Sequence, residues 1–231
     1  MKSPIILALD TKDLDTAKKW IETTNGSIDI YKFGLEFYLK FGAAGLKELS
    51  SAGDFEVFLD LKLHDIPNTV ALSIKSVSDL APKFLTVHAS GGGAMIKAAS
   101  EAGPDISITA VTILTSLSDS DLVDIGFAKD TKSSAKVLAK LAVSNGARSI
   151  VCSPFEASEI RAIVGNEIEI ITPGVRPPGS DLGDQKRVMT PKEAITAGAN
   201  YIVVGRPITD LAKISLDEMR SGASSILESL N

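Results

Sequence analysis

The chain has 231 residues, 44% of them hydrophobic and 23% charged, with a net charge of −5 at neutral pH. That length suits one sizeable core, and the mildly acidic composition gives no general pull toward nucleic acid or an anionic membrane. A single cysteine, Cys152, and two histidines, His64 and His88, exclude an internal disulfide and a His-rich metal site, and fit a reducing compartment.

The N-terminal run ending at Asp10 is far too short for a signal sequence or a membrane span, so a cytoplasmic location is expected. Short apolar runs then alternate with helical patterns to the end of the chain, the signature of βα units around a parallel sheet. The patterning predicts strands at 5–10, 28–33, 57–62, 84–88, 107–111, 149–152, 168–172 and 201–204. Helices are predicted between them at 14–23, 43–50, 69–80, 94–101, 133–144, 157–163 and 192–197, with a last one at 216–230. Gly53, Gly103, Gly146 and Gly198 each follow a helix, where a left-handed residue is often required. Asn25-Gly26-Ser27 reads as a turn.

Two connections are long: 112–132, with a helical hint at 120–125, and 173–187, rich in proline, glycine and charge. Loops of that length in a compact domain are commonly lids or binding elements. No linker divides the chain, so the expectation is one α/β domain over residues 1–231, a (β/α)8 TIM barrel with a parallel eight-stranded sheet; an open sheet is the alternative. Asp10, Lys32, Asp60, Lys62, His88, Thr112, Gly205 and Arg206 all fall at strand C-terminal ends, which in a barrel converge on the mouth where active sites form.

The most informative stretch is Asp60-Leu61-Lys62-Leu63-His64-Asp65. Residues two apart on a strand share a face, so Asp60 and Lys62 are expected side by side, with Asp65 on the loop beyond. An isolated Asp-x-Lys is commonly a structural ion pair of small energetic value. Here Lys32 adds a second cation. Alternating charges can keep Lys62 protonated and Asp60 ionised despite partial burial, and such a group suits a developing negative charge on a substrate, with Lys62 as proton donor.

A phosphate site is the second candidate. Gly205 ends an apolar strand, Arg206 can grip a phosphate bidentately, and Arg176, Gln185, Lys186 and Arg187 lie on the preceding long loop, in the part of a barrel where phosphate is often held. His88 with Gly91, Gly92 and Gly93 could cradle an anion or form a tight turn. Cys152 has no identifiable base and reads as a small core residue, and Trp20 as a packing residue.

Taken in order, Asp10, Lys32, the Asp60-x-Lys62-x-x-Asp65-Ile66-x-x-Thr69 run, Leu114-Thr115-Ser116, Pro173-Gly174-Val175-Arg176, Gln185 and Gly205-Arg206 make the chain resemble the orotidine 5′-phosphate decarboxylases over essentially its whole length. The Asp-x-Lys-x-x-Asp core is shared with the 3-keto-L-gulonate 6-phosphate decarboxylases. Lys32 favours the orotidylate branch, since the keto-gulonate enzymes carry an acidic, magnesium-binding residue there. The resemblance implies decarboxylation of orotidine 5′-phosphate to uridine 5′-phosphate without cofactor or metal, Lys62 protonating C6 and Asp60 lying against the substrate carboxylate. It implies that Asp10 and Lys32 hold ribose hydroxyls and that Asp65 and Thr69 reach into a neighbouring subunit's site, giving a homodimer. Thr115 and Ser116 would meet the pyrimidine, Gln185, Gly205 and Arg206 the phosphate, and Arg176 another part of the ligand. The alternatives are the magnesium-dependent keto-sugar phosphate branch and a catalytically silent nucleotide-binding barrel.

Overall fold

In chain order the elements are β1 (Ile5–Ala8), α1 (Leu14–Thr24), β2 (Ile30–Gly34), α2 (Leu35–Leu49), β3 (Glu56–Leu63), α3 (Pro67–Val77), β4 (Phe84–His88), α4 (Gly93–Ala102) and β5 (Ser107–Val111). There follow α5 (Asp119–Asp124), α6 (Thr131–Ser144), β6 (Ser149–Val151), α7 (Ala157–Val164), β7 (Glu169–Thr172), α8 (Pro191–Thr196), β8 (Tyr201–Val204), α9 (Arg206–Thr209) and α10 (Leu216–Glu228). The computed structural model describes residues 3–177 and 189–230. All eight strands pair in parallel with their sequence neighbours, and β8 pairs with β1 to close the barrel. The open-sheet alternative is thereby excluded.

The strands read as continuous apolar runs because both faces are buried. On the outward face Leu7, Tyr31, Phe33, Leu59, Leu85 and Val87 pack under the helices. On the inward face Ile6, Ile30, Phe58, Phe84 and Ile171, joined by Val151, Tyr201 and Val203, fill the lower barrel. Alternation then puts Lys32, Asp60 and Thr86 on the same inward face, one step nearer the C-terminal end than Ile30, Phe58 and Phe84. The apolar layer therefore forms the floor on which the charged groups stand.

Several boundaries differ from the sequence-based expectation. Helix α2 begins at Leu35, well before the predicted start at 43, and is broken at Gly42, whose φ of 60° and ψ of −158° are not helical. Its first half is held by aromatic packing, with Phe37 5.1 Å from Phe33 and 4.9 Å from Phe41 between ring centroids. Gly53, Gly146 and Gly198 adopt positive φ as expected, but Gly103 does not: its φ is −131°. There a Cβ would stand 2.9 Å from the Ile74 side chain, so close packing, not a left-handed turn, requires glycine. The helical hint at 120–125 is α5, capped by Ser118 and Asp121, each side chain accepting the other's main-chain N–H.

Candidate active site

Strands β2 and β3 bring three of the predicted charges together at the barrel mouth. Lys62 Nζ donates to Asp60 Oδ2 at 2.8 Å, and Lys32 Nζ stands 3.5 Å from the same oxygen and 3.5 Å from Asp10 Oδ1. Asp60 and Lys32 are largely buried, with side chains 14% and 13% exposed, whereas the Asp10 side chain is 66% exposed. Burial by itself would raise the Asp60 carboxyl. The charges of Lys32 and Lys62 and hydrogen bonds from Lys62 and Thr86 outweigh it and hold Asp60 below the ordinary carboxylate range. One buried carboxylate, Asp60, thus faces two ammonium groups, and the exposed Asp10 meets Lys32 from the solvent side.

Asp60 and Lys62 meet by a route the sequence does not announce. The β3–β4 ladder slips between Leu59 and Leu63, and Lys62 has a φ of +48°, in the left-handed region. For a residue with a side chain that costs roughly 1–2 kcal/mol. The main-chain N–H of Lys62 donates to Thr86 Oγ1 at 2.8 Å, and that hydroxyl donates to Asp60 Oδ1 at 3.1 Å. Thr86 went unremarked in the sequence, although it is the polar residue inside an apolar run, on the inward face of β4.

Lys32, Asp60 and Lys62 line a cavity of about 210 Å³ whose wall also includes Phe58, Val111, Thr115, Cys152 and Val203. Thr115 thus shares a cavity with the three charged residues. Ser116 lines an adjoining depression with Ser153 and Phe155. Cys152 is 1% exposed and its thiol is pushed far up by burial, which leaves it a packing residue of the cavity wall. Beside the cluster, the rings of His64 and His88 lie 5.6 Å apart, and burial, then His64, then Lys62 lower the pKa of His88. The tight turn after β4 is a single 3-10 turn, Ala89–Gly91.

Asp65 does not join the cluster within the chain. It is exposed between β3 and α3, where its carboxylate accepts the Ile66 N–H at 2.7 Å, and Thr69 is exposed in the first turn of α3. Gly205 and Arg206 line a separate groove with Asp10, Trp20 and Lys213, at the β8 side of the mouth. Arg176 is buried, 8% exposed, at the stem of the long loop, where its N–H donates to Met189 O at 3.0 Å. Gln185, Lys186 and Arg187 lie outside the described residues. Among the described residues no group of three or more His, Cys, Asp or Glu is placed to hold a metal ion, and no helix is long and apolar enough to cross a membrane.

The family model described as Orotidine 5′-phosphate decarboxylase / HUMPS matches residues 3–214. The chain belongs to this family. Among its curated members, the orotidine 5′-phosphate decarboxylase of Thermobifida fusca is 50% identical over 209 residues, covering 90% of each chain. That of Wolbachia pipientis subsp. Culex pipiens is 45% identical over 231 residues and 99% of each chain. The crystal structure of orotidine 5′-phosphate decarboxylase from Lactobacillus acidophilus matches the barrel with a TM-score of 0.85 at 32% identity, over 100% of each chain. Membership in the orotidine 5′-phosphate decarboxylase / HUMPS family fits the closed barrel.

Proposed function

We propose that the chain decarboxylates orotidine 5′-phosphate to uridine 5′-phosphate and carbon dioxide in pyrimidine biosynthesis, with no cofactor and with Lys62 as the proton donor. The observation that carries this reading is the pairing of Lys62 with a buried Asp60 that Lys32 also braces, all three facing one cavity. In the reaction the bond from C6 to the substrate carboxylate breaks, carbon dioxide leaves, and the electron pair stays on C6. The Lys62 ammonium stabilises that charge as it develops and then passes a proton to C6; solvent restores the proton to the amine. An ammonium fixed in advance by Asp60 needs little reorganisation at that moment, which is where such a site gains its advantage over water.

Asp60 in this proposal lies against the substrate carboxylate, and Asp10 and Lys32 take ribose hydroxyls. Thr115 and Ser116 meet the pyrimidine, while Arg206, Gly205 and Gln185 take the phosphate, with Arg176 on another part of the ligand. Binding energy from the remote phosphate can be used to order the site around the reacting carbon. The absence of a metal requirement rests on Lys32, a cation already standing between Asp10 and Asp60.

The working unit is proposed to be a homodimer in which Asp65 and Thr69 complete the partner's site. Their exposure supports this, as do the outward-facing apolar side chains of Leu35 and Leu39 on α2 and of Ile66 and Leu72 around α3. A cytoplasmic location is part of the proposal, and a chain with one cysteine, Cys152, and hence no internal disulfide fits it.

The test is to mix chelator-treated protein, its oligomeric state measured by light scattering, with orotidine 5′-phosphate and to follow the loss of orotate-type ultraviolet absorbance. Rapid metal-independent conversion by a dimer is expected. Activity that appears only with magnesium on a keto-sugar phosphate, or tight uridine 5′-phosphate binding with no turnover, overturns the proposal.

A further inference from the structure

Strand pairing at the mouth leaves one β4 residue facing an irregular stretch of β3. Leu59 pairs with Leu85 and Leu63 pairs with Val87, so Asp60, Leu61 and Lys62 on β3 stand opposite Thr86 alone. Three residues against one cannot keep a regular ladder, and main-chain hydrogen bonds are lost there. Thr86, fully buried at 0% exposed, makes up the deficit with its side chain. Its Oγ1 accepts the Lys62 N–H at 2.8 Å and donates to Asp60 Oδ1 at 3.1 Å. The polarity of this relay is fixed, because an amide N–H only donates and an ionised carboxylate only accepts.

We infer that Thr86 is a positioning residue for the decarboxylation proposed above: its hydroxyl holds the Lys62 main chain in its left-handed turn and the Asp60 carboxylate in register, so that Lys62 Nζ is aimed into the cavity. Thr86 is not among the residues that line the cavity, and it acts through the two bonded residues that do. The β-branched side chain has few rotamers to choose from, which keeps the hydroxyl aimed at both partners. Without it, the Lys62 N–H is a buried donor with nothing to bond, and the main chain gains by leaving the strained conformation. Asp60 keeps its lysines but loses the contact that fixes its second oxygen. Substrate contacts at ribose, pyrimidine and phosphate are elsewhere, so binding is spared while proton delivery is not.

The inference rests on the decarboxylase reading, and it is tested by steady-state kinetics with orotidine 5′-phosphate on the wild type, Thr86→Val and Thr86→Ser, each checked for folding by circular dichroism. Thr86→Val keeps the shape and removes both hydrogen bonds; kcat is expected to fall about 10- to 100-fold, the scale of a small misplacement of a reacting group. KM is expected to stay within about twofold, and Thr86→Ser, which keeps the hydroxyl, to recover most of kcat. A Thr86→Val variant with wild-type kcat, a KM that rises while kcat holds, or a Thr86→Ser variant as slow as Thr86→Val overturns the inference. Should Thr86→Val not fold, Thr86→Ala, which also removes the hydroxyl, takes its place under the same criteria. Hydrogen exchange at the Lys62 amide gives a readout without substrate: it quickens in the variant if the hydroxyl holds that turn and is unchanged if it does not. A wild type that leaves orotidine 5′-phosphate intact defeats the decarboxylase reading, whereas an active wild type matched by Thr86→Val defeats only the role of Thr86.

Discussion

At the N-terminal end of the barrel Lys83 reaches Glu56 at 2.9 Å, and at the C-terminal end Lys62 reaches Asp60 at 2.8 Å. Both pairs involve β3 and stand above or below the same apolar layer, yet their surroundings differ. Lys83 also donates to the Tyr201 hydroxyl at 3.1 Å and lies over the rings of Phe84 and Tyr201. Burial alone would lower its pKa, but Glu56 and Tyr201 outweigh that and hold the ammonium above the ordinary range. Its main chain is regular, the N–H donating to Val57 O as a strand should. One cation there is matched by one carboxylate, a hydroxyl and two aromatic faces. At the mouth two lysines share the buried Asp60 carboxylate while Lys32 also reaches the exposed Asp10, the ladder slips, and the backbone of one lysine is strained. An ion pair of nearly the same length thus sits in a regular ladder at one end of the barrel and in a slipped, strained one at the other.

The largest expected effect separates those two roles. Lys62→Ala should reduce turnover of orotidine 5′-phosphate by about 10³-fold or more, because it removes both the stabilising charge and the proton donor. Its thermal midpoint should fall only modestly, since Asp60 keeps Lys32 and Thr86 as partners; a variant that kept substantial turnover would detach Lys62 from the chemistry. At the other end, Lys83→Met should leave kcat intact and cost about 1–3 kcal/mol of stability in denaturant unfolding, the usual penalty for removing a hydrogen-bonded cation from a partly buried carboxylate. A loss of kcat without loss of stability would mean that the two ends are not independent.

The smallest effect is in the pH dependence of stability. Asp60 has a folded-state pKa below its unfolded value, so its contribution is complete above the unfolded value and is lost as pH falls through the folded one. Wild-type stability should therefore decline more steeply below about pH 4 than that of Asp60→Asn, whose side chain does not titrate. Parallel acid limbs in chemical denaturation would indicate that Asp60 is not held ionised by its lysines.

Much of the barrel was legible because strands buried on both faces are short apolar runs, and the helices between them carry an amphipathic period. All eight predicted strands overlap an observed one. The front half of α2 was not legible: Leu35 to Phe41 is aromatic and has no capping side chain, and it is helical because Phe33 and Phe37 pack, a tertiary effect. Among the site residues, Lys32, Asp60 and Lys62 could be read from charge at strand ends. The left-handed turn at Lys62 could not, because nothing in Asp60-Leu61-Lys62 hints at a slip in pairing whose cause lies on β4. Thr86 was missed for the same reason, since its role exists only once β3 and β4 are side by side. Arg176 was legible as a ligand candidate, whereas its burial at a loop stem was not.

That stem has a practical meaning for engineering. Val175, fully buried, forms a parallel bridge with Met189, and the Arg176 N–H bonds back to Met189 O. The two points where the chain leaves β7 and returns to α8 are thus fastened to each other before the intervening segment begins. Met189 is followed directly by the Thr190–Glu193 capping box that starts α8. The bridge is a natural splice junction: the stretch between can be exchanged for a relative's, lengthened or cut back, and both ends still enter the barrel at fixed positions. Selectivity grafted there would be inherited without re-registering a single strand.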